Sequence, residues 1–217
     1  MGRKSRGLPQ KKSTVIYCEG QSEVQYFQML ARKYSRKNVS PQKIMIKSMA
    51  KSGLSLLDGA WRMEKDRHHE KVYVVFDRDA LTNAELSQCQ KLAKQYHFQI
   101  LFSCINFEVW ILLHFEYFET SYTPAQLVKK LSGKNFFATD YQKFKGQPYD
   151  DFLLNRVGVA MKNATLLART NQNWLQSNPY TNLHHYLPEI FSVSKFWKKS
   201  IKNLPFILVG SLFRLQC

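Results

Sequence analysis

The chain has 217 residues, 44% of them hydrophobic, which is enough apolar material for one elaborated domain or two small ones and excludes a wholly disordered chain. Lys and Arg number 32 against 16 Asp and Glu, and the resulting +16 biases the chain toward polyanionic partners such as nucleic acid. No uninterrupted apolar stretch reaches bilayer length. Cys18, Cys89, Cys104 and Cys217 lack the spacing of a zinc site or a disulfide framework, so a cytoplasmic protein without membrane contact is expected.

Residues 1–12 carry Arg3, Lys4, Arg6, Lys11 and Lys12 with no acid and read as a disordered basic arm; Leu8-Pro9-Gln10 stands where a signal peptide would place an apolar run. Ser13-Thr14-Val15-Ile16-Tyr17-Cys18 predicts a buried strand that ends at Glu19-Gly20. Ser22 then offers a helix cap, and Val24, Phe27, Leu30, Ala31 and Tyr34 recur at helical spacing. Between Gln28 and Lys51 lie Arg32, Lys33, Arg36, Lys37, Lys43, Lys47 and Lys51, again with no acid, so the charge gathers on one face rather than forming a uniform halo. A short strand is expected at Lys43–Ile46, and Leu54, Leu57, Trp61 and Met63 mark a second helix.

Val72-Tyr73-Val74-Val75-Phe76 predicts a strand buried on both faces, as a central parallel strand must be. It runs into Asp77-Arg78-Asp79. A helix over Glu85–Tyr96 and a strand over Gln99–Ser103 complete a β, α, β, α, β, α, β order, which argues for a compact parallel sheet covered on both faces. From Asn106-Phe107-Glu108 the pattern turns helical through Phe115. Further on, a short helix is expected at Thr123–Leu131, a polar and aromatic connection at Ser132–Gln147, and one long amphipathic helix from Asp150 to about Gln176. Asn178-Pro179-Tyr180-Thr181 would end that helix, and a last one would cover Asn182–Phe191. The tail from Lys195 is basic and then apolar, with Phe206-Ile207-Leu208-Val209 reading as an edge strand or docking segment. The division expected is a basic arm at 1–12, an α/β domain at 13–120 and a helical region at 121–217 packed on it.

Continued alternation beyond the central strand would put Asp77 and Asp79 on one side, at the carboxyl edge where open α/β sheets bind ligands. Two carboxylates so close need a proton or a cation between them, and an all-oxygen site suits magnesium or manganese. Taken alone, the pair is equally well explained as acids that cap the following turn. Glu19 at the end of the first strand can lie beside them, and Glu23, in the first helical turn, can point back into the same space, though an acid there is also favoured by the helix dipole. The same dipole explanation applies to Glu108. Such an acidic island in a positive field suits metal-assisted attack on a phosphodiester.

Val15-Ile16-Tyr17-Cys18-Glu19-Gly20-Gln21-Ser22-Glu23 and Val74-Val75-Phe76-Asp77-Arg78-Asp79 resemble the two motifs of the Toprim fold, found in topoisomerases, primases and the overcoming-lysogenization-defect (OLD) nucleases. More specifically, Cys18-Glu19-Gly20 with Tyr26-Phe27, then Asn106-Phe107-Glu108 with Trp110 and His114-Phe115, then Lys162-Asn163-Ala164 and Asn178-Pro179 with Thr181, are similar to the RloB family. These matches run in order from about Thr14 to Leu187. Where members of the family usually show Ser-Asn-Pro before Phe-Glu, this chain has Ser103-Cys104-Ile105-Asn106.

The resemblance implies a Toprim-like, Rossmann-type parallel sheet flanked by helices, with an α-helical C-terminal extension. It also implies a magnesium- or manganese-dependent nuclease, an endoribonuclease directed at tRNA, acting in prokaryotic anti-phage defence with an ATPase partner. A homo-oligomer is left open. The residues assigned on this basis are Glu19, Asp77 and Asp79 as catalytic, and Glu19, Glu23, Asp77, Asp79 and Glu108 as metal ligands. Arg78, His114, Lys162 and Asn178 are assigned to nucleic-acid contact. Each of these four has a plainer explanation: a structural ion pair for Arg78, a satisfied core histidine for His114, a solvated helix face for Lys162 with Asn163, and a turn cap for Asn178. A DNA endonuclease or nickase of the OLD type, and a non-catalytic subunit that binds nucleic acid or a nucleotide signal, are the competing functions.

Overall fold

Among the described residues, the apolar runs around Val15, Ile44, Val74 and Leu101 each become a strand, and amphipathic helices cover the sheet they form. The structure, a computed structural model, describes residues 13–34, 43–67 and 69–191. The basic arm and the 195–217 tail lie outside the described residues. In chain order, β1 (Ser13–Cys18), α1 (Gln21–Tyr34), β2 (Lys43–Ser48), α2 (Gly53–Glu64), β3 (Lys71–Asp77), α3 (Asn83–Tyr96) and β4 (Gln99–Cys104) build the sheet, and α4 (Glu108–Leu113) leaves it. There follow α5 (Pro124–Leu131), α6 (Tyr141–Phe144), α7 (Asp150–Leu153), α8 (Val157–Thr170), β5 (Tyr180–Thr181) and α9 (Leu183–Ile190). The sheet order is β2-β1-β3-β4-β5, parallel except for β5, which runs antiparallel to β4. This is an α/β, Rossmann-like architecture with helices on both faces. No described helix is long and apolar enough to cross a membrane.

Alternation along the strands deals their side chains into two cores. Ile16, Cys18, Tyr73, Val75 and Leu101 pack with α1, α4, α8 and α9; Val15, Tyr17, Val72, Val74, Phe76 and Phe102 pack with α2 and α3. Asp77 falls in phase with Tyr73 and Val75, so β3 delivers its carboxyl to the α1 and α4 side. Thr82 closes the N-terminus of α3 in a capping box with Glu85, and Thr123 does the same for α5 with Gln126. Ser22, by contrast, does not cap α1, which already includes Gln21; its side chain is buried within the first turn.

The region after residue 149 departs from expectation in two ways. The single long helix is two, α7 and α8, because Arg156 N–H turns back to Leu153 O while Val159 and Ala160 both bond to Arg156 O, which restarts the ladder in a new phase. Lys33 Nζ takes the Leu154 carbonyl at the break. α8 also stops at Thr170, well before Gln176: Asn171 Nδ2 donates to Pro179 O (2.6 Å), and Asn173 Oδ1 accepts from Leu175 N (2.9 Å), so short polar side chains take over the role of the next helical turn. That releases Trp174 to pack edge-on against Phe102, at 4.9 Å between ring centroids.

The second departure is β5. Tyr180-Thr181 does not merely terminate a helix; it pairs with Cys104 and Ser103 and extends the sheet. Asn182 locks the pairing, accepting from Phe102 N–H (2.7 Å) and donating to Ile100 O (2.9 Å). Asn182→Ala removes both bonds and leaves two β4 backbone groups short of a partner, and is expected to cost about 1–3 kcal/mol. Urea unfolding of the purified chain measures this.

Candidate functional site

The carboxyl edge of the sheet carries the acids. Register sets β1 Cys18 beside β3 Val75, so Glu19 follows at the level of Asp77: Glu19 N–H donates to Val75 O (3.0 Å), and Glu19 Oε2 accepts from Asp77 N–H (3.3 Å). Ser52, just before α2, gives its hydroxyl to the same Oε2 (2.9 Å) rather than to its own helix. Gly20 N–H donates to Glu23 Oε2 (3.1 Å), and a Cβ on Gly20 would stand 3.2 Å from that oxygen, so glycine permits the close return of Glu23 from the first turn of α1. Asp77 Oδ2 accepts from Phe107 N–H (2.8 Å), and the next residue, Glu108, opens α4 with its side chain fully buried.

Glu23, Asp77 and Glu108 are buried and Glu19 is half-buried, so these four acids meet with little water to screen them. Burial, followed by the repulsion of Glu23, Glu108 and Glu19, drives the Asp77 carboxyl well above its ordinary range. Glu23 is pushed up to about 7, again by burial first and then by Glu108 and Glu19. Burial raises Glu19 also, with Asp79 adding to the effect and the bonds from Ser52 and Asp77 N–H opposing it. Lys145 reaches into the cluster, its Nζ 3.0 Å from Glu108 Oε1. Burial alone would lower this ammonium, but the charge of Glu108, its hydrogen bond, and the charges of Asp77 and Glu23 outweigh that and raise it. Two carboxyl oxygens, Asp77 Oδ1 and Glu108 Oε2, are buried with no hydrogen-bond partner.

Such orphaned oxygens suit a hard cation, and their donor chemistry is that of magnesium or manganese. Among the described residues, however, no group of three or more His, Cys, Asp or Glu side chains stands ready as a cage for a metal ion. Magnesium ordinarily takes one or two carboxylates and fills its remaining positions with water and substrate oxygens, so the donor set fits such an ion without a preformed cage.

Asp79 departs from the expected alternation. β3 ends at Asp77; Asp79 takes a left-handed backbone (φ 38°), bonds its N–H to Ile105 O (3.1 Å), and lies exposed at the rim rather than beside Asp77. Arg78 points to the other face, where its guanidinium donates to Leu175 O and Asn83 Oδ1 (both 2.6 Å), a structural clamp.

His114 is a core histidine and not a phosphate contact. It is fully buried, with Nδ1 2.9 Å from Trp110 O and Nε2 3.2 Å from the Tyr26 hydroxyl, and burial holds it neutral, down to about 4. His114→Leu strands both partners and is expected to cost about 1–3 kcal/mol in urea unfolding, with nucleic-acid affinity unchanged in a gel-shift titration. Lys162 is exposed on α8, whereas Asn163 beside it is buried and donates to Leu113 O (2.8 Å), so the two do not share a solvated face. Asn178 is half-buried before the cis Pro179, its carbonyl accepting from Ser121 Oγ.

Residues 14–190 match the family model described as RloB-like protein. The chain belongs to the RloB-like family. No curated protein and no solved structure matches this RloB-like chain. Two of its site residues carry no periodic signal in the sequence. Ser52 precedes a helix and looks like a cap, and Lys145 sits in the Ser132–Gln147 connection, where only the Phe144-Lys145-Gly146 turn marks it out.

Proposed function

We propose that this RloB-like chain is a metal-dependent phosphodiester hydrolase, an endoribonuclease with tRNA as the favoured substrate, serving as the effector of a prokaryotic anti-phage system with an ATPase partner. The observation that carries the hydrolase reading is the pair of buried, partnerless oxygens on Asp77 and Glu108, within an acidic cluster at the carboxyl edge of a parallel sheet, in a chain whose net charge is +16. RNA, the defence role and the ATPase rest on the family resemblance. Asp77 and Glu108 would hold the cation, with Glu23 behind them. When bound, magnesium or manganese supplies Lewis-acid polarisation of the phosphoryl group and activation of water.

Glu19 is the proton-handling residue of this reading. Its Oε2 is fixed by Ser52 and Asp77 N–H, which leaves Oε1 to take a proton, and burial raises its affinity for one. Asp79, exposed at the rim, stands where an incoming polynucleotide passes.

Incubation with tRNA, single-stranded DNA and duplex DNA, in magnesium, manganese or chelator, tests this. Cleavage of RNA that needs the metal and is abolished in Glu19→Gln is the expected result. Cleavage confined to DNA would replace the RNA reading with an OLD-type nuclease. Binding with no cleavage in any metal would leave a non-catalytic subunit.

A further inference from the structure

One group in the acidic cluster has no part in the chemistry above. Lys145 places its ammonium 3.0 Å from Glu108 Oε1, and its side chain, 41% exposed, bridges from solvent to a carboxylate with no exposure at all. The position is built by the fold. Lys145 N–H donates to Tyr141 O (2.8 Å), closing α6, and Gly146 follows at φ 84°, so close to α1 that a Cβ would lie 3.2 Å from Gln21 Cβ. That contact seats the turn on the first residue of α1, two positions before Glu23. Tyr141, whose hydroxyl lies 3.5 Å from Glu108 Oε1 and 3.2 Å from the Tyr149 hydroxyl, walls the same acid.

One fixed positive charge therefore faces several buried carboxyl groups, and it engages the acid that also carries a partnerless oxygen. A divalent ion arriving at the buried Glu108 and Asp77 meets repulsion from this ammonium at close range, partly screened on the lysine's solvent side. We infer that Lys145 is an internal counter-ion of the site, competing with the divalent cation for Glu108, so that the lysine sets cation affinity as much as the acids do. This rests on the metal-site reading given above. The consequence is a site that binds its ion weakly on its own and tightens when an anionic ligand draws the lysine away from Glu108.

Manganese binding to the full chain, followed by titration calorimetry without nucleic acid, tests this independently of activity. Lys145→Met is expected to bind manganese at least about tenfold more tightly than wild type. Lys145→Gln, which keeps a donor toward Glu108 should methionine unsettle the turn, is expected to shift in the same direction. Lys145→Arg, which keeps the charge, is expected to stay near wild type. Equal affinity in wild type, Lys145→Met and Lys145→Gln overturns the inference while leaving the metal site standing, and a tenfold gain in Lys145→Arg overturns it by making shape responsible. Absence of manganese binding in every protein removes the metal-site reading, and the inference with it.

Discussion

Asp77→Asn is expected to lose metal-dependent cleavage by at least about a hundredfold while gaining stability. Loss of a group that only orients a metal ligand commonly costs 10- to 100-fold, so loss of a ligand costs no less. The stability gain follows from the same geometry. Asp77 Oδ2 accepts from Phe107 N–H, a bond that the asparagine Oδ1 can keep. The other oxygen is buried without a donor, and burial, followed by the charges of Glu23, Glu108 and Glu19, pushes the carboxyl well above the ordinary range. An amide there brings two donors to a ring of acceptors and removes a carboxyl whose charged form burial and the neighbouring acids disfavour. In chelator at pH 7.5 the gain is expected to be about 1–3 kcal/mol by urea unfolding. A variant that cleaves at the wild-type rate would remove Asp77 from the site, and one that unfolds more easily would make its carboxylate structural.

The second large effect is pH dependence through Glu23. Its carboxyl moves from 4.5 to about 7 on folding, so the folded state binds the proton more tightly than the unfolded chain does. A group raised in this way contributes its full stability below pH 4.5 and loses it as pH climbs through about 7. At about 1.4 kcal/mol for each tenfold in proton affinity, the total is about 3 kcal/mol. Glu23→Gln lacks this titration. In chelator, the stability of Glu23→Gln relative to wild type is expected to rise by about 2–3 kcal/mol between pH 5 and pH 8. Manganese, by compensating the carboxylate charge, is expected to narrow the gap at pH 8. A difference that stays flat with pH would show that Glu23 does not titrate in the folded protein.

The local and periodic features were legible in the sequence. Val72–Phe76 could only be an interior strand, and alternation alone predicts two cores on either side of it. Glu19 and Asp77 could be brought to one edge because strand, turn, helix order forces parallel pairing, and parallel strands end their carboxyl termini together. The family resemblance rested on short motifs in this order. What failed to show was whatever depends on a side chain meeting backbone far away in sequence. The Tyr180-Thr181 strand is too short to carry a period and exists because Asn182 clamps it to β4. The break at Leu154–Arg156 carries no Pro, and the Gly158 beyond it lies within α8; what marks it is Arg156 N–H turning back to Leu153 O as Lys33 takes the Leu154 carbonyl.

By itself the sequence determined the α/β class, the parallel edge on which the acids gather and the family, because strand periodicity and connection order are properties of neighbours in the chain. Only the tertiary structure decided which acids share a buried space. A left-handed residue at Asp79 turns that carboxyl out to the rim, while burial draws Glu108 in and fixes His114 as core. The tertiary structure also decided that Lys145, from a connection with no pattern, supplies the charge they face. Burial and long-range pairing set the proton and ion affinities of a carboxylate, and neither can be read from the spacing of residues along one strand.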